Sequence, residues 1–401
     1  ICAARGVNNV VDSVNTKRKL QIGMIGGGQG AFIGEIHRLA IALCGDFALV
    51  AGAFSSNADV SRSCGEQLQL SADRVYSNYQ NMLTQEAARP KSDRLDLIVI
   101  VTPNYLHYQI ACLALENGFH VMCEKPLTTT VEEARSLQAL VTDKAKRFAL
   151  THVYLGYPLV SQARKMVARG EFGRIRKVMV EYHQGWLSRN EEAAGNQQAC
   201  WRTDPARSGI SGCIGDIGTH AHNLAEYVVG QQVVEVCADL STFVPGRKLD
   251  DDGAALFRMS KGAKGVLSAS QVCAGIENGL KISVFGEEGS CEWRQEDPNS
   301  LVVRKLGRPA SIYRSGSDQE YLYPEVQASF RTPSGHPEGF LEALANLYRA
   351  LAVQIWQDFS ISPEQQLVPV CPGIEMGVRG MAFIEAMVAS SNEGGSWVPL
   401  G

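Results

Sequence analysis

An aspartate and a histidine four residues apart, Asp216 and His220, stand where a helical pattern begins. A lysine followed by a proline, Lys125-Pro126, stands where a short apolar run ends. On a helix the first two share a face. The helix's opening end favours the carboxylate, and an imidazole that titrates near neutrality is the usual carrier of an alcohol's proton. The same pair also reads as an N-cap aspartate beside a packed histidine. As a metal site it lacks a third and fourth ligand at suitable spacing, so no metal is expected. Lys125 is either an exposed loop lysine or a charge placed at the carboxyl end of a strand, where doubly wound sheets bind ligands. Thr102-Pro103-Asn104 follows another such strand.

Proton transfer from an alcohol calls for a hydride acceptor, and the chain opens with a candidate site for one. Gly26, Gly28 and Ala31 fit G-x-G-x-x-[G/A] directly after a β-competent run, Leu20 to Ile25, and before helical periodicity from about Phe32 or Ile33. Gly26 permits the tight turn, Gly28 lets a pyrophosphate approach, and Ala31 lets the helix pack closely. The helix start then offers free N–H groups to phosphate. Gln29, Gly30, Phe32, Ile33 and Gly34 make the turn longer than the minimal motif. The acid that usually holds the adenosine ribose is missing: the second strand ends in Ser55-Ser56-Asn57, with Arg62 shortly after. The cofactor is therefore expected to be NAD or NADP, with the choice open.

The elements that must hold these residues follow from periodicity. Apolar runs at Phe47 to Phe54, Leu97 to Val101, His120 to Cys123 and Phe148 to His152 alternate with helical patterns such as Leu106 to Glu116 and Val131 to Val141. That alternation is the mark of a doubly wound parallel sheet. Beyond Tyr154 come a helix at about Ser161 to Arg169, a strand at Ile175 to His183, a Gly- and Ser-rich loop, and a helix at Ile217 to Val229. Five β stretches follow: Val233 to Phe243, Ala254 to Met259, Gly265 to Val272, Leu280 to Phe285 and Cys291 to Arg294. Pro- and Gly-rich chain at 307–337 precedes late helices at Glu338 to Gln357 and Gly373 to Ser390. The fold class expected is α/β: an N-terminal Rossmann sheet over 18–153, and an α+β domain with a large, mostly antiparallel open sheet over 154–401. The acidic run Asp250 to Asp252 reads as a solvated turn without function.

Composition narrows the class. At 401 residues the chain is long enough for two cores. A net charge of −4 offers no electrostatic footprint for nucleic acid or an anionic membrane. No apolar run approaches the roughly 20 residues of a membrane span. The 11 cysteines, an odd number without CxxC pairs, suit reduced thiols. The first twenty residues lack a signal peptide's apolar core and a twin-arginine pair, so a cytoplasmic location is expected.

The GGG-containing loop together with TPNYLH (102–107), CEKPL (123–127) and GDIGTH (215–220) resembles the Gfo/Idh/MocA family of glucose–fructose oxidoreductases, inositol dehydrogenases and rhizopine-catabolism proteins. The likeness runs through essentially the whole chain after Leu20. It implies that Lys125, Asp216 and His220 form the catalytic group, with Lys125-Pro126 a candidate cis bond. It also implies cofactor contacts from Thr102, Asn104 and Glu124, and we place further ones at Pro103, His107 and Lys125. In the oxidation direction neutral His220 would take the hydroxyl proton as hydride leaves carbon, and Lys125 would stabilise the developing alkoxide. Asp216 would orient His220 or a neighbouring hydroxyl.

The function expected is an NAD(P)-dependent oxidoreductase acting on a hydroxyl or carbonyl of a sugar, inositol or glycoside. The alternatives are redox-neutral glycoside cleavage on held NAD, or a non-catalytic dinucleotide sensor. A homo-oligomer, dimer or tetramer, is expected by the same resemblance. The chain departs from many relatives at Val153 to Pro158, where an Asn/Arg-rich segment is usual, and in the segment 198–212, which would roof the pocket. Tyr157, Trp201, Arg202 and His220 are the candidate substrate contacts, with Trp186 equally a core residue. His183, His222 and His336 are weaker candidates.

Overall fold

Five short apolar strands make the first sheet of the computed structural model, which describes residues 18–358 and 370–401. Of the first twenty residues, expected to carry no targeting signal, 1–17 lie outside the described ones. The strands are β1 (Leu20–Gly26), β2 (Phe47–Ala53), β3 (Leu97–Val101), β4 (His120–Cys123) and β5 (Phe148–Leu150). They pair in parallel in the order β2-β1-β3-β4-β5. Every residue of β3 is buried, as its all-Leu/Ile/Val composition requires of a strand covered on both faces. The cover comes from α1 (Phe32–Cys44), α2 (Ala58–Gln67), α3 (Tyr79–Ala87), α4 (His107–Glu116) and α5 (Val131–Lys144). Helix α1 starts at Phe32, as its periodicity predicts.

Helix α6 (Pro158–Ala168) begins at Pro158 rather than Ser161, because proline at the first helical position loses an N–H that would have no partner anyway. A nine-stranded sheet follows: β6 (Ile175–His183), β7 (Val233–Ser241), β8 (Asp252–Met259), β9 (Lys264–Ser270), β10 (Gly279–Gly286), β11 (Gly289–Arg294), β12 (Asp297–Lys305), β13 (Ser311–Arg314) and β14 (Val398–Pro399). Its order is β13-β12-β11-β10-β6-β9-β8-β7-β14. Only the β6–β9 pair is parallel. Alternation along β8 shows how the sheet is wetted: Gly253, Ala255, Phe257 and Met259 are buried, while Ala254 and Leu256 face out. Helices α6 and α9 (Thr219–Val229) lie on the inner face. Between β6 and α9 the chain forms two short helices, α7 (Gln197–Arg202) and α8 (Pro205–Ser208); another, α10 (Pro324–Gln327), follows β13.

The two-sheet α/β architecture is as expected, with three local corrections. Strands β12 and β13 were not anticipated, because Asp297-Pro298-Asn299 reads as a turn and β13 falls within proline- and glycine-rich chain. The helix carrying Asp216 begins with one wide π turn, Ile214–Gly218, before α9 continues as an α-helix. Asp250 to Asp252 is not a solvated turn. Asp251 is 1% exposed, and its carboxylate accepts from the backbone N–H groups of Phe243 (2.8 Å) and Val244 (3.0 Å) and from Arg247 (3.1 Å).

The late helices α11 (Phe340–Gln357) and α12 (Ile374–Asn392) return to the first sheet. Helix α11 packs on α1 and on the 3-10 turn Val153–Gly156, and Arg349 pairs with Asp46 at 2.8 Å. Helix α12 packs on α5, β5, α9 and β7. Glu385 accepts the Val131 N–H at the start of α5 (2.9 Å), and Arg379 grips Glu226 on α9.

Candidate active site

The glycine turn joins β1 to α1 and forms one wall of a cleft of about 810 Å³. The close packing expected of Ala31 is made by Gly34 instead: a Cβ on Gly34 would lie 2.4 Å from the Gly27 Cα. Ala31 is the N-cap of α1, and no side chain bonds to the helix start, so its first N–H groups are free for an anion. Gly28 N–H donates to the Phe54 carbonyl (3.1 Å), and Arg38 braces the Gly27 carbonyl (2.8 Å). Gly26, Gly28, Gln29, Ala31, Phe32, Ile33, Ser55, Ser56, Thr102 and Pro103 all line this cleft. The Thr102 hydroxyl is buried there with no protein partner. Asn57 spends its side chain capping α2, accepting from the Asp59 and Val60 N–H groups, which leaves the serines at the ribose position. An uncapped helix start and an orphaned hydroxyl, in a cleft of ligand size, fit a dinucleotide.

Three expected cofactor contacts are placed behind the wall. Asn104 is buried and donates to the Ser208 carbonyl (3.1 Å). His107 is fully buried between the carbonyls of Pro126 (2.8 Å) and Thr102 (2.9 Å). Burial pushes its pKa down, and a neutral ring donates to only one carbonyl at a time. His107 thus ties the two strand-end loops together and does not face the cleft. Glu124 bonds His37 (2.9 Å), whose other nitrogen meets the Tyr348 hydroxyl (2.7 Å). Burial pushes the Glu124 carboxyl up, but His37 and Lys125 outweigh it and hold it below the usual carboxylate range.

Lys125, preceding a cis proline, extends from the end of β4 to the second sheet's side. Its Nζ donates to the Asp216 backbone carbonyl and to Oδ1, both at 2.7 Å. Gln271 donates to Asp216 Oδ2 (2.8 Å), and Arg202 Nε approaches the same oxygen at 3.3 Å without hydrogen-bond alignment. Burial pushes the Asp216 carboxyl up, but Lys125 and Arg202 outweigh it and hold it well below the usual range. Asp216 makes no hydrogen bond to His220. The expectation that it orients the imidazole is replaced by one in which it anchors Lys125.

His220, one turn on, is 7% exposed. Its Nδ1 is buried without a partner. Aromatic edges fix the ring: Tyr154 lies 4.9 Å and His152 5.5 Å away, centroid to centroid. Burial, then the Lys125 charge and His152, drive its pKa well below the ordinary histidine value against the opposing pull of Asp216. The ring is neutral at neutral pH.

The candidate substrate contacts separate. Trp201 and Arg202 line the cleft from α7, with the guanidinium 4.1 Å over Trp201 and 5.9 Å from Trp186. Tyr157 lies behind Tyr154, stacked on it and 5.2 Å from Trp293, with its hydroxyl buried and unpartnered. It supports the wall rather than forming it. His183 bonds Ser268 (2.9 Å), His222 stacks on Phe383 (4.3 Å), and His336 bonds the Ser334 carbonyl on the surface (3.2 Å).

Sequence reading missed Gln271, His152 and a wall of hydrogen-bonded side chains. Tyr154 and Tyr182 share a hydroxyl–hydroxyl bond, Tyr182 donates to Asn278 (2.7 Å), Gln184 joins Asn278 (2.8 Å), and Trp186 donates to Gln184 (3.0 Å). Among the described residues no group of three or more His, Cys, Asp or Glu side chains is placed to hold a metal.

A family model described as an oxidoreductase family with an NAD-binding Rossmann fold matches residues 20–152, and one described as the GFO/IDH/MocA C-terminal domain matches 160–292. The chain belongs to the Gfo/Idh/MocA oxidoreductases. It is 34% identical over 386 residues to the uncharacterized oxidoreductase YfiI of Bacillus subtilis, covering 95% of this chain and 97% of the relative. It is 30% identical over 309 residues to the levoglucosan dehydrogenase of Pseudarthrobacter phenanthrenivorans, covering 71% and 76%. Among solved structures, an inositol dehydrogenase homolog from Azotobacter vinelandii complexed with NAD+ superposes with a TM-score of 0.89 at 36% identity, over 95% of this chain and 97% of the other. The first sheet of this Gfo/Idh/MocA protein is thus an NAD-binding Rossmann domain.

Proposed function

We propose that the protein is a dehydrogenase that oxidises a hydroxyl of a sugar, inositol or related polyol with NAD, Lys125, Asp216 and His220 forming its catalytic group. One observation carries the reading: an ammonium from the first sheet is locked at 2.7 Å onto a carboxylate of the second, close enough to the buried His220 ring for both charges to act on it. Similar chains point the same way, among them a structure of the Azotobacter vinelandii homolog with NADH and myo-inositol and one of levoglucosan dehydrogenase with NADH and levoglucosan.

The glycine turn, Ser55, Ser56 and Thr102 would hold the dinucleotide. When bound, its nicotinamide supplies the hydride acceptor. His220 takes the hydroxyl proton at Nε2, since its other ring nitrogen, Nδ1, is buried without a partner. An ammonium has three N–H donors. Asp216 takes two of those on Lys125, and the third is free for the substrate oxygen as charge develops on it. Trp201 and Arg202 offer a flat apolar face and a polar edge to a ring. The outward-facing Met179, Leu256 and Phe285 of the nine-stranded sheet support assembly through that face.

The test is a screen of inositols, monosaccharides and anhydrosugars with NAD and with NADP, read at the nicotinamide absorbance. Failure of every polyol to reduce either cofactor overturns the reading. For the substrate found, kcat/KM for oxidation is expected to hold level as pH falls from 7.5 to 6. A depressed pKa keeps His220 neutral below about 6.5, where an ordinary histidine would be half protonated. An acid limb centred near 6.5 would remove His220 as the base.

A further inference from the structure

We propose that Asp250 is a positioning residue for this chemistry, setting the register of the helix that carries Asp216 and His220. The inference rests on the reading of those two residues as catalytic.

The start of that helix is accounted for donor by donor. The Gly212 N–H goes to Asp250 Oδ1 (2.8 Å), the Cys213 N–H to the Asp250 backbone carbonyl (2.9 Å), and the Ile214 N–H to Asp250 Oδ2 (2.9 Å). The Gly215 N–H goes to Ser211 Oγ (3.1 Å), and the Asp216 N–H to the Gly212 carbonyl (2.9 Å). A single residue, 36 positions away from Ile214 in sequence, thus takes three consecutive amides leading into the first residue of the π turn. The contact is tight: a Cβ on Gly212 would stand 2.4 Å from the Asp250 carbonyl oxygen.

Asp250 is itself held. The next residue, Asp251, donates its N–H to the Ser241 carbonyl (3.0 Å) and accepts the Gln271 N–H (2.9 Å). The Gln271 side chain reaches back to Asp216 Oδ2 (2.8 Å). The helix start and the Asp216 carboxylate are therefore both referenced to the β8–β9 ladder. His220 makes no hydrogen bond of its own, so its place is set by the helix backbone and the aromatic wall. Misplacement of a reacting group by about 1 Å costs on the order of 100-fold in rate, and a slack helix start removes that control.

The test is Asp250→Asn in the full-length enzyme. Its amide nitrogen must face the N–H of Gly212 or Ile214, opposing donor with donor. The expected result is a kcat at least about tenfold lower, with KM for the polyol and the NADH Kd within about twofold. Amide exchange over residues 212–216 should rise by at least about tenfold while exchange in β1 is unchanged. A variant with wild-type kcat overturns the proposal, since a merely structural role lowers the folded fraction and not the turnover of folded molecules. If the variant does not fold, wild-type exchange decides: amides 212–214 as slow as those of β9 support the clamp, and amides as fast as the 275–277 loop overturn it. The exchange arm needs no substrate, so an enzyme that oxidises no polyol overturns the proposed function and still lets exchange decide whether the clamp exists.

Discussion

Lys125→Met is expected to lower kcat by about 10²–10³-fold, the cost of removing one preorganised donor from a developing oxyanion, while the NADH Kd changes by no more than a few-fold. Methionine keeps most of the side chain's length and apolar stem and loses the charge and all three donors. Nothing else in the described site is placed to substitute. The Arg202 guanidinium approaches the far oxygen of Asp216 and is stacked on Trp201, and Gln271 is committed to the same oxygen. Asp216 keeps those two partners, so the fold should survive, although losing the closest cation lets burial push its carboxyl back up. Single-turnover hydride transfer, cofactor titration and Tm measured together separate the cases. A kcat within twofold of wild type removes Lys125 from the mechanism.

The second large effect is acid lability. His107, His120, His152 and His220 are all buried, and burial depresses each pKa, to about 4 in His120 and about 3 in His152. In the unfolded chain each takes up a proton near pH 6.5, whereas the folded protein excludes it. Stability is therefore intact above 6.5 and falls as pH drops, by about 1.4 kcal/mol per excluded proton per pH unit. For His120 and His152 the loss continues until the folded pKa is reached, near 4 and 3. Several such groups acting together should lower Tm by roughly 5–10 °C between pH 7 and 5.5. His152→Asn should reduce the slope by about one proton equivalent. A Tm that is level across that window would mean these rings are protonated, or solvated, in the native state.

How much of this was legible in the sequence depended on whether a signal was local. The β1 turn, α1 and the parallel core strands could be read because their periodicity lies within one short window, and β3 is β-branched or Leu at every position. Lys125, Asp216 and His220 stand in short motifs and could be named, but their mutual bonding could not. Asp216 was expected to orient His220 or a neighbouring hydroxyl, and its carboxylate holds a lysine 91 residues earlier. Gln271 sits at the end of an ordinary alternating strand and meets Asp216 only because β9 runs beside the helix that carries it. Asp250 read as solvated because an acidic run normally is; the amides that bury it arrive from residues 212–214. His107 looked like a ligand contact on the same local grounds, and packing turned it inward.

The return of α11 and α12 to the first sheet limits how this molecule can breathe. One late helix is docked on α1 and the other on α5 and β5, both strapped down by ion pairs or backbone bonds. Prising the halves apart like a jaw would have to unseat both at once, and little of that buried contact could be recovered midway. Admission of the dinucleotide would then depend on α7 and α8, which line the cleft and are held by Asn104 on the Ser208 carbonyl and by Arg202 beside Asp216. The traffic of nucleotide in and out should follow the looseness of those short helices rather than any bending between the sheets.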